Sequence, residues 1–368
     1  MAGAKALVVQ SIKSPVDIKL TERDIPKATT GTAVVQILAA AIGPGHGYLI
    51  SHEVPGFSFP VPSVFGSSAV GRVVSVGPDS VSLKEGQLVV IDPFTAARDD
   101  SSVEIIVGLM DAGESKAKSL SNETWRDGSW QSHTVVPLEN AIPLDEEALL
   151  GKHNYEVEEL TMIPRLSVAY GAISGIDIKA GETVIVGPAT GQFGGAAVEI
   201  ASALGARVIA LGRNQEVLAK LKSKIPRVET VVITGDVEKD AQAIQAFGQA
   251  DAFVDFSPHT LQSEPSHIKS AIFSLRKRGR IALMGGLGGN ITIPYFFMIL
   301  KSLELKGKWM YTRAEIRNLV KMIEVGTLKI GKGAGHQVNG KFKLEEYETA
   351  LETAAKHTAW GTSVVFTP

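Results

Sequence analysis

The chain contains no cysteine. Disulfides, thiolate nucleophiles and thiolate-ligated zinc are excluded by that zero alone. An excess of one charge is also missing: 37 Lys and Arg face 39 Asp and Glu, a formal net charge of -2, so nothing favours a phosphate-backbone partner. The one basic cluster, Arg276-Lys277-Arg278, precedes an expected strand and reads as a solvated turn. Long hydrophobic runs are scarce as well. Stretches such as Tyr295 to Leu300 are too short to span a bilayer, and Met1-Ala2-Gly3-Ala4-Lys5-Ala6-Leu7-Val8-Val9 lacks the apolar core and cleavage pattern of a secretory signal. A cytosolic location is expected, and the sequons at Asn122 and Asn290 carry no weight without secretion.

What is present is length for two domains, in 368 residues whose 37 Gly and 17 Pro mark a turn-rich globular protein. Short β-branched runs separated by Gly, Pro and Asp fill the first part: Lys5 to Gln10, Thr32 to Ala40, Ala69 to Val76, Gln87 to Asp92 and Ser132 to Pro137. With few amphipathic helices between them they predict a mostly-β domain over 1–157. Between Asp99 and Asp127 the pattern breaks into polar residues around an apolar patch, Val103 to Met110, which reads as a long loop or irregular lobe.

From Glu158 onward strands and helices alternate. Strands are expected at Thr183 to Val186, Arg207 to Leu211, Thr230 to Ile233, Ala252 to Asp255, Arg280 to Met284 and Leu303 to Gly307. Helices are expected at Gly194 to Leu204, Glu216 to Lys222, Ala241 to Phe247 and Ile268 to Leu275. This alternation predicts an α/β, doubly wound parallel sheet over 158–308. An amphipathic helix, Arg313 to Val325, and a strand at Thr362 to Phe366 then form a 309–368 tail expected to return to the first domain.

The strongest chemical signal is Val184-Ile185-Val186-Gly187-Pro188-Ala189-Thr190-Gly191-Gln192-Phe193-Gly194-Gly195 ahead of an Ala-rich helix. A strand ending in such a turn offers free N–H groups and a positive dipole end to a pyrophosphate. Ala189 stands at the first place of the G-x-G-x-x-G pattern, with Gly191 and Gly194 at the others. Such a turn alone also occurs where a helix merely packs on a strand; its place in a βαβ array carries the dinucleotide reading. At the end of the next strand, where an Asp or Glu would bind the ribose hydroxyls, stands Gly212, followed by Arg213 and Asn214. A missing carboxylate and an added guanidinium favour a 2'-phosphate, hence NADP(H) over NAD(H). Gly285-Gly286-Leu287-Gly288-Gly289 is either a plain turn or a place where a nicotinamide approaches the backbone.

Taken together, these features resemble the medium-chain dehydrogenase/reductase superfamily over nearly the whole chain. The resemblance implies a Rossmann domain inserted into a GroES-like catalytic domain, as in the alcohol dehydrogenases. The chain looks like such a fold from which both zinc sites have been removed, similar in this respect to the quinone and enoyl reductase branch. Where zinc members end a strand with a Cys ligand this chain has Gly43, then Pro44-Gly45-His46-Gly47-Tyr48; their Gly-His-Glu motif falls on Gly66-Ser67-Ser68. His52-Glu53 imitates that motif out of place. Leu83-Lys84-Glu85-Gly86-Gln87-Leu88-Val89 and Gly128-Ser129-Trp130-Gln131-Ser132 are further family-like stretches. Ile163-Pro164-Arg165-Leu166-Ser167 resembles the segment that lines the nicotinamide. Ser167 and Ser257 join the expected nucleotide-binding residues.

Without zinc, a hydrogen-bond donor must meet the charge that develops on the substrate oxygen. The aligned place in the quinone-reductase branch also holds a Tyr, so Tyr48 is the first candidate; His46 is the second, to orient Tyr48, contact ribose or relay a proton. His133, His259 and His336 receive no role. Reduction of a small conjugated carbonyl substrate (enone, enoyl or quinone) is the leading expectation and metal-free aldehyde or ketone reduction the alternative. A redox-silent nucleotide-binding protein and a non-redox scaffold remain further classes, distinguished by the absence of substrate-dependent NADPH consumption. The resemblance also implies a homodimer paired along the strand near Leu303 to Gly307.

Overall fold

A computed structural model describes residues 3–12, 16–54, 57–111, 113–261 and 263–368; Met1-Ala2 of the N-terminal stretch considered above lie outside them. The chain divides into two compact units, one of residues 1–164, 337–358 and 362–368, the other of residues 165–336 and 359–361.

In the second unit the strands Thr183–Gly187 and Arg207–Gly212 are buried along almost their whole length, which is why they read as unbroken apolar runs. Six parallel strands line up as Val228–Val232, Arg207–Gly212, Thr183–Gly187, Ala250–Asp255, Leu275–Leu283 and Glu304–Gly307. Numbered by sequence, the order is 3-2-1-4-5-6, that of a Rossmann sheet. Ile185, Ile209, Phe253 and Ile281 form its centre, against Ile268 and Ile272 of the helix Ser266–Phe273.

Two expectations change here. The chain re-enters the first unit at Gln337 rather than 309, because the helix Arg313–Glu324 buries Ile316, Leu319, Val320 and Ile323 within the second unit. Its Glu315 also accepts a hydrogen bond from Ser174 of the helix Ile163–Gly175, the helix within which the first boundary falls. The basic cluster Arg276-Lys277-Arg278 lies inside the strand Leu275–Leu283, at a register break, and is no free turn. Arg276 is paired to Asp251 and, at 3.7 Å, to Glu182.

The first unit is built on a sheet ordered Ala141–Pro143, Leu88–Ile91, Ala69–Val76, Thr32–Ile42, Thr362–Phe366 and Gln337–Phe342, with His133–Pro137 also on Thr32–Ile42. The C-terminal strand therefore does return to this unit, Val364 opposite Ile42 and Phe366 opposite Ala40. A three-stranded sheet of Asp17–Arg23, Ala4–Ser11 and Ser63–Val64 adds Leu7, Val9 and Val64 to a core shared with Ile37, Val89, Trp130 and Phe366. No helix among the described residues is long and apolar enough to cross a membrane.

The stretch read as an irregular lobe has its own order. Strands Phe94–Ala96 and Glu104–Ile106 pair antiparallel, a helix Ser115–Ser119 runs into a π-helical turn Leu120–Thr124, and Val103, Ile105 and Ala117 form a small core. Ala97, Val107, Leu120 and Trp125 pack on it, so apolar side chains hold the lobe together. Ile105→Ala is expected to cost about 2–5 kcal/mol and to open residues 99–127 to limited proteolysis. An unchanged cleavage rate there would show that this cluster does not hold the lobe.

Candidate active site

The Gly-rich turn connects the strand Thr183–Gly187 to the helix Gln192–Ala203, whose N-cap is Gly191. A Cβ on Gly194 would lie 1.9 Å from the Pro188 carbonyl oxygen, so strand and helix meet this closely only with glycine there. A Cβ on Gly191 would meet nothing within 4 Å, leaving open space beside the helix N-terminus where a diphosphate can approach the main chain. Phe193 is exposed beside it, and the Gln192 side-chain carbonyl accepts from Arg165 Nη1 at 2.7 Å. Burial pushes the Arg165 guanidinium down to about 10, against the pull of the Glu199 carboxylate. The Ala189 amide is not available to a ligand, since it donates to the Leu211 carbonyl at 2.6 Å.

At the end of the second strand Gly212 is buried and Arg213 and Asn214 are exposed. Asn214 caps the helix Gln215–Lys224, its side chain accepting from Val217 N at 3.1 Å, so its carbonyl oxygen is committed to the fold. Ser257 is likewise committed. Fully buried, its hydroxyl donates to Asp255 Oδ1 at 2.6 Å, and His267 Nε2 lies 3.1 Å from the same oxygen. A Cβ on Gly285 would strike Ser257 N and O at 2.6 Å and Asp255 Oδ2 at 2.7 Å, so the exposed loop starting at Gly285-Gly286-Leu287 rests on this network. Ser257 thus positions that loop rather than presenting its hydroxyl to a ligand. Ser167 is fully buried as well.

In the first unit the short helix His46–Ser51 carries both proposed donors, and the structure does not bring them together. Side chains two apart point about 200° apart around a helix, so His46 cannot orient Tyr48. His46 turns inward, its Nδ1 accepting from the Gly43 amide at 3.0 Å and its ring set against Phe65 and Trp130 at 5.2 and 5.6 Å. Burial pushes the imidazole from 6.5 down to about 4, so at neutral pH it is uncharged, with its proton on Nε2. Tyr48 points outward, 51% exposed, and stacks on His52 at 4.2 Å. His52 is thereby an aromatic partner, and no group of metal-ligating side chains forms among the described residues.

Gly43 and Gly66 are closed by aromatic rings. A Cβ on Gly43 would lie 2.7 Å from His46 Nε2; one on Gly66, whose φ is +99°, would lie 2.3 Å from Trp130 Cδ1. Trp130 is held in turn by Phe65 and Phe366, at 5.1 and 5.2 Å.

Three features escaped the sequence. Trp360 N donates to Thr190 O at 2.9 Å and Ala359 bridges to Gly191, so a C-terminal segment clasps the Gly-rich turn. No local motif announces a contact between residues so far apart. His336, given no role, donates from Nε2 to Glu199 at 2.6 Å while Nδ1 accepts from Gly331 N. Asp255 and His267 were passed over; a carboxylate ending an otherwise apolar strand was the available signal for the first.

A parallel sheet of order 3-2-1-4-5-6 entered by a glycine turn, with a separate, mostly antiparallel β unit, defines the class: a two-unit fold of the dinucleotide-binding kind. The alcohol dehydrogenase GroES-like domain family matches residues 29–146 and the zinc-binding dehydrogenase family residues 193–325. The chain belongs to the medium-chain dehydrogenase/reductase superfamily and is an oxidoreductase of that nicotinamide-dinucleotide-binding type. It is 23% identical over 363 residues to an L-threonine 3-dehydrogenase of Pyrococcus furiosus, covering 95% of each chain. To the mitochondrial enoyl-[acyl-carrier-protein] reductase of Homo sapiens it is 25% identical over 372 residues, 96% of this chain and 86% of that protein. In fold it is similar to a zinc-binding dehydrogenase candidate of Sinorhizobium meliloti 1021 bound to NADP, with a TM-score of 0.76, 17% identity and full coverage of both chains.

Two outcomes follow for stability. Because folded His46 binds its proton only near pH 4 and unfolded His46 near 6.5, acidification across that window favours the unfolded chain. Stability should fall by about 3 kcal/mol from this group alone. His46→Asn, which keeps an acceptor for Gly43 N, should lose that share of the slope between pH 7 and 4 in urea titrations; an unaltered slope would remove the assignment. Asp255→Asn, which strips a buried network of its charge, should lower ΔG of unfolding by about 1–3 kcal/mol and raise hydrogen exchange at Met284 to Gly289.

Proposed function

We propose that this protein is a zinc-independent, NADP(H)-dependent reductase of small conjugated carbonyl compounds. One observation carries the reading: Gly43, at the place where zinc members of the superfamily hold a Cys ligand, is closed by the His46 ring, and where their Gly-His-Glu motif falls the two side chains after Gly66 are serines, Ser67 and Ser68, with Gly66 itself closed by Trp130. The residues present do not fit a catalytic zinc, since no group of ligating side chains comes together among the described residues.

They do fit a dinucleotide. The open side of Gly191 with the adjoining Thr190, Gln192 and Phe193 would hold the diphosphate, and Gly212 with the exposed Arg213 the adenosine 2'-phosphate. Gly285, Gly286 and Leu287 would take the nicotinamide end. Bound NADPH supplies the hydride. Tyr48 is the donor assigned to the substrate oxygen, because its phenol is exposed while His46 is locked to the Gly43 amide. A conjugated substrate suits such a site, since its enolate spreads the charge that one neutral hydrogen bond must meet. The human enoyl reductase relative supports this substrate class.

The reading includes a homodimer. Glu304–Gly307 is the exposed edge of its sheet, beside the helix Tyr295–Lys301, where Tyr295, Phe296, Ile299 and Leu300 are all exposed. Antiparallel pairing of that edge with a second copy about Leu305 would set each Glu304 against the Lys306 of the other, so the strand is complementary to itself.

Calorimetry should detect NADPH binding tighter than NADH, and NADPH oxidation should appear with enones or quinones before aldehydes or ketones. Stoichiometric zinc, or no uptake of either nucleotide, would overturn the proposal. Tyr48→Phe should lower kcat by roughly 10²–10⁴ with nucleotide affinity kept; full turnover would end the donor role. Light scattering should give about twice 39.1 kDa, and Leu305→Glu should return the protein to that monomer mass.

A further inference from the structure

We propose that Thr190 is the second half of the cofactor-specificity determinant: its side chain, and not position 212 alone, keeps a carboxylate out of the adenosine-ribose site. The inference rests on the NADP(H) reading above and says what enforces it.

One main-chain hydrogen bond joins the Gly-rich turn to the end of the second strand, and two more tie each of them to a further neighbour. Ala189 N donates to Leu211 O at 2.6 Å, Ile233 N to Gly212 O at 2.9 Å, and Trp360 N to Thr190 O at 2.9 Å. Neither backbone can withdraw from the other without breaking one of them. Within this fixed frame a Cβ at position 212 would stand 2.4 Å from Thr190 Cγ2 and 3.3 Å from Thr190 Oγ1, whichever side chain it began. Leu218 Cδ2 lies in van der Waals contact with the same point, at 3.4 Å.

The contact therefore has a direction. An Asp at 212 would repel a 2'-phosphate by charge, yet with Thr190 in place it would be pushed out of the position from which a carboxylate accepts two ribose hydroxyls. Glycine at 212 and threonine at 190 form one steric unit, and NADH can be accepted well only when both change. Arg213, exposed and adjacent, then supplies the positive preference for the phosphate.

Four chains decide the matter: the natural one, T190A, G212D and T190A/G212D. The measured quantity is the ratio of kcat/KM with NADH to that with NADPH. The double variant should raise this ratio at least about tenfold beyond the product of the two single effects. A full switch from G212D alone, or strictly multiplicative effects, would overturn the proposal. A second comparison needs no nucleotide. G212A should lower the Tm of the ligand-free protein by about 3–8 °C, and T190A/G212A should recover most of that loss. Additive shifts there would show that the two side chains do not compete for space. If the natural chain took up neither nucleotide, the proposed function would fall, while the thermal comparison would still decide the contact.

Discussion

The helix Gln192–Ala203 can begin where it does only because position 194 carries no side chain. The Pro188 carbonyl occupies the place of its Cβ. From that close approach follow the open flank at Gly191, the exposed start of the helix, and the contact between Thr190 and the end of the second strand. The first unit uses the same device in the opposite sense. At Gly43 and Gly66 the space left by a missing side chain is filled by a neighbour's ring.

His46 shows how completely such a space is filled. One imidazole blocks the space at Gly43, satisfies that residue's amide, and supplies an edge to the aromatic group of Phe65 and Trp130. The hydrogen bond requires the neutral ring, because Nδ1 accepts only when unprotonated, and burial disfavours the imidazolium. In the function proposed above, the polar work at the site would pass to Tyr48, the most exposed side chain of the helix.

Much of this was legible in the sequence where the signal is local. Strands buried on both faces must be apolar throughout, so Thr183–Gly187, Arg207–Gly212 and Ala250–Asp255 stand out within a residue or two of their ends. The Gly-rich turn and Gly212 were equally plain, because backbone proximity leaves glycine as its mark. What escaped depends on distant residues. Nothing in Ala359-Trp360-Gly361 says that it closes on Thr190 and Gly191, and the amphipathic helix Arg313–Glu324 has an apolar face that either unit could have covered. The expected partnership of His46 with Tyr48 failed for a geometric reason already contained in their spacing, which becomes visible once the segment is known to be helical.

The pairing of Thr32–Ile42 has a consequence for how the chain comes off the ribosome. Its first five residues are matched by His133–Pro137, but Ala40, Ala41 and Ile42 take their partners on that side from Thr362–Phe366. A nascent chain can thus complete the parallel sheet, whose strands follow one another closely, while the sheet begun before it waits for a segment synthesised after it. During that interval a short row of unpaired amides and carbonyls beside Gly43 is exposed to any passing strand, and chaperone capture or premature self-association would act first there.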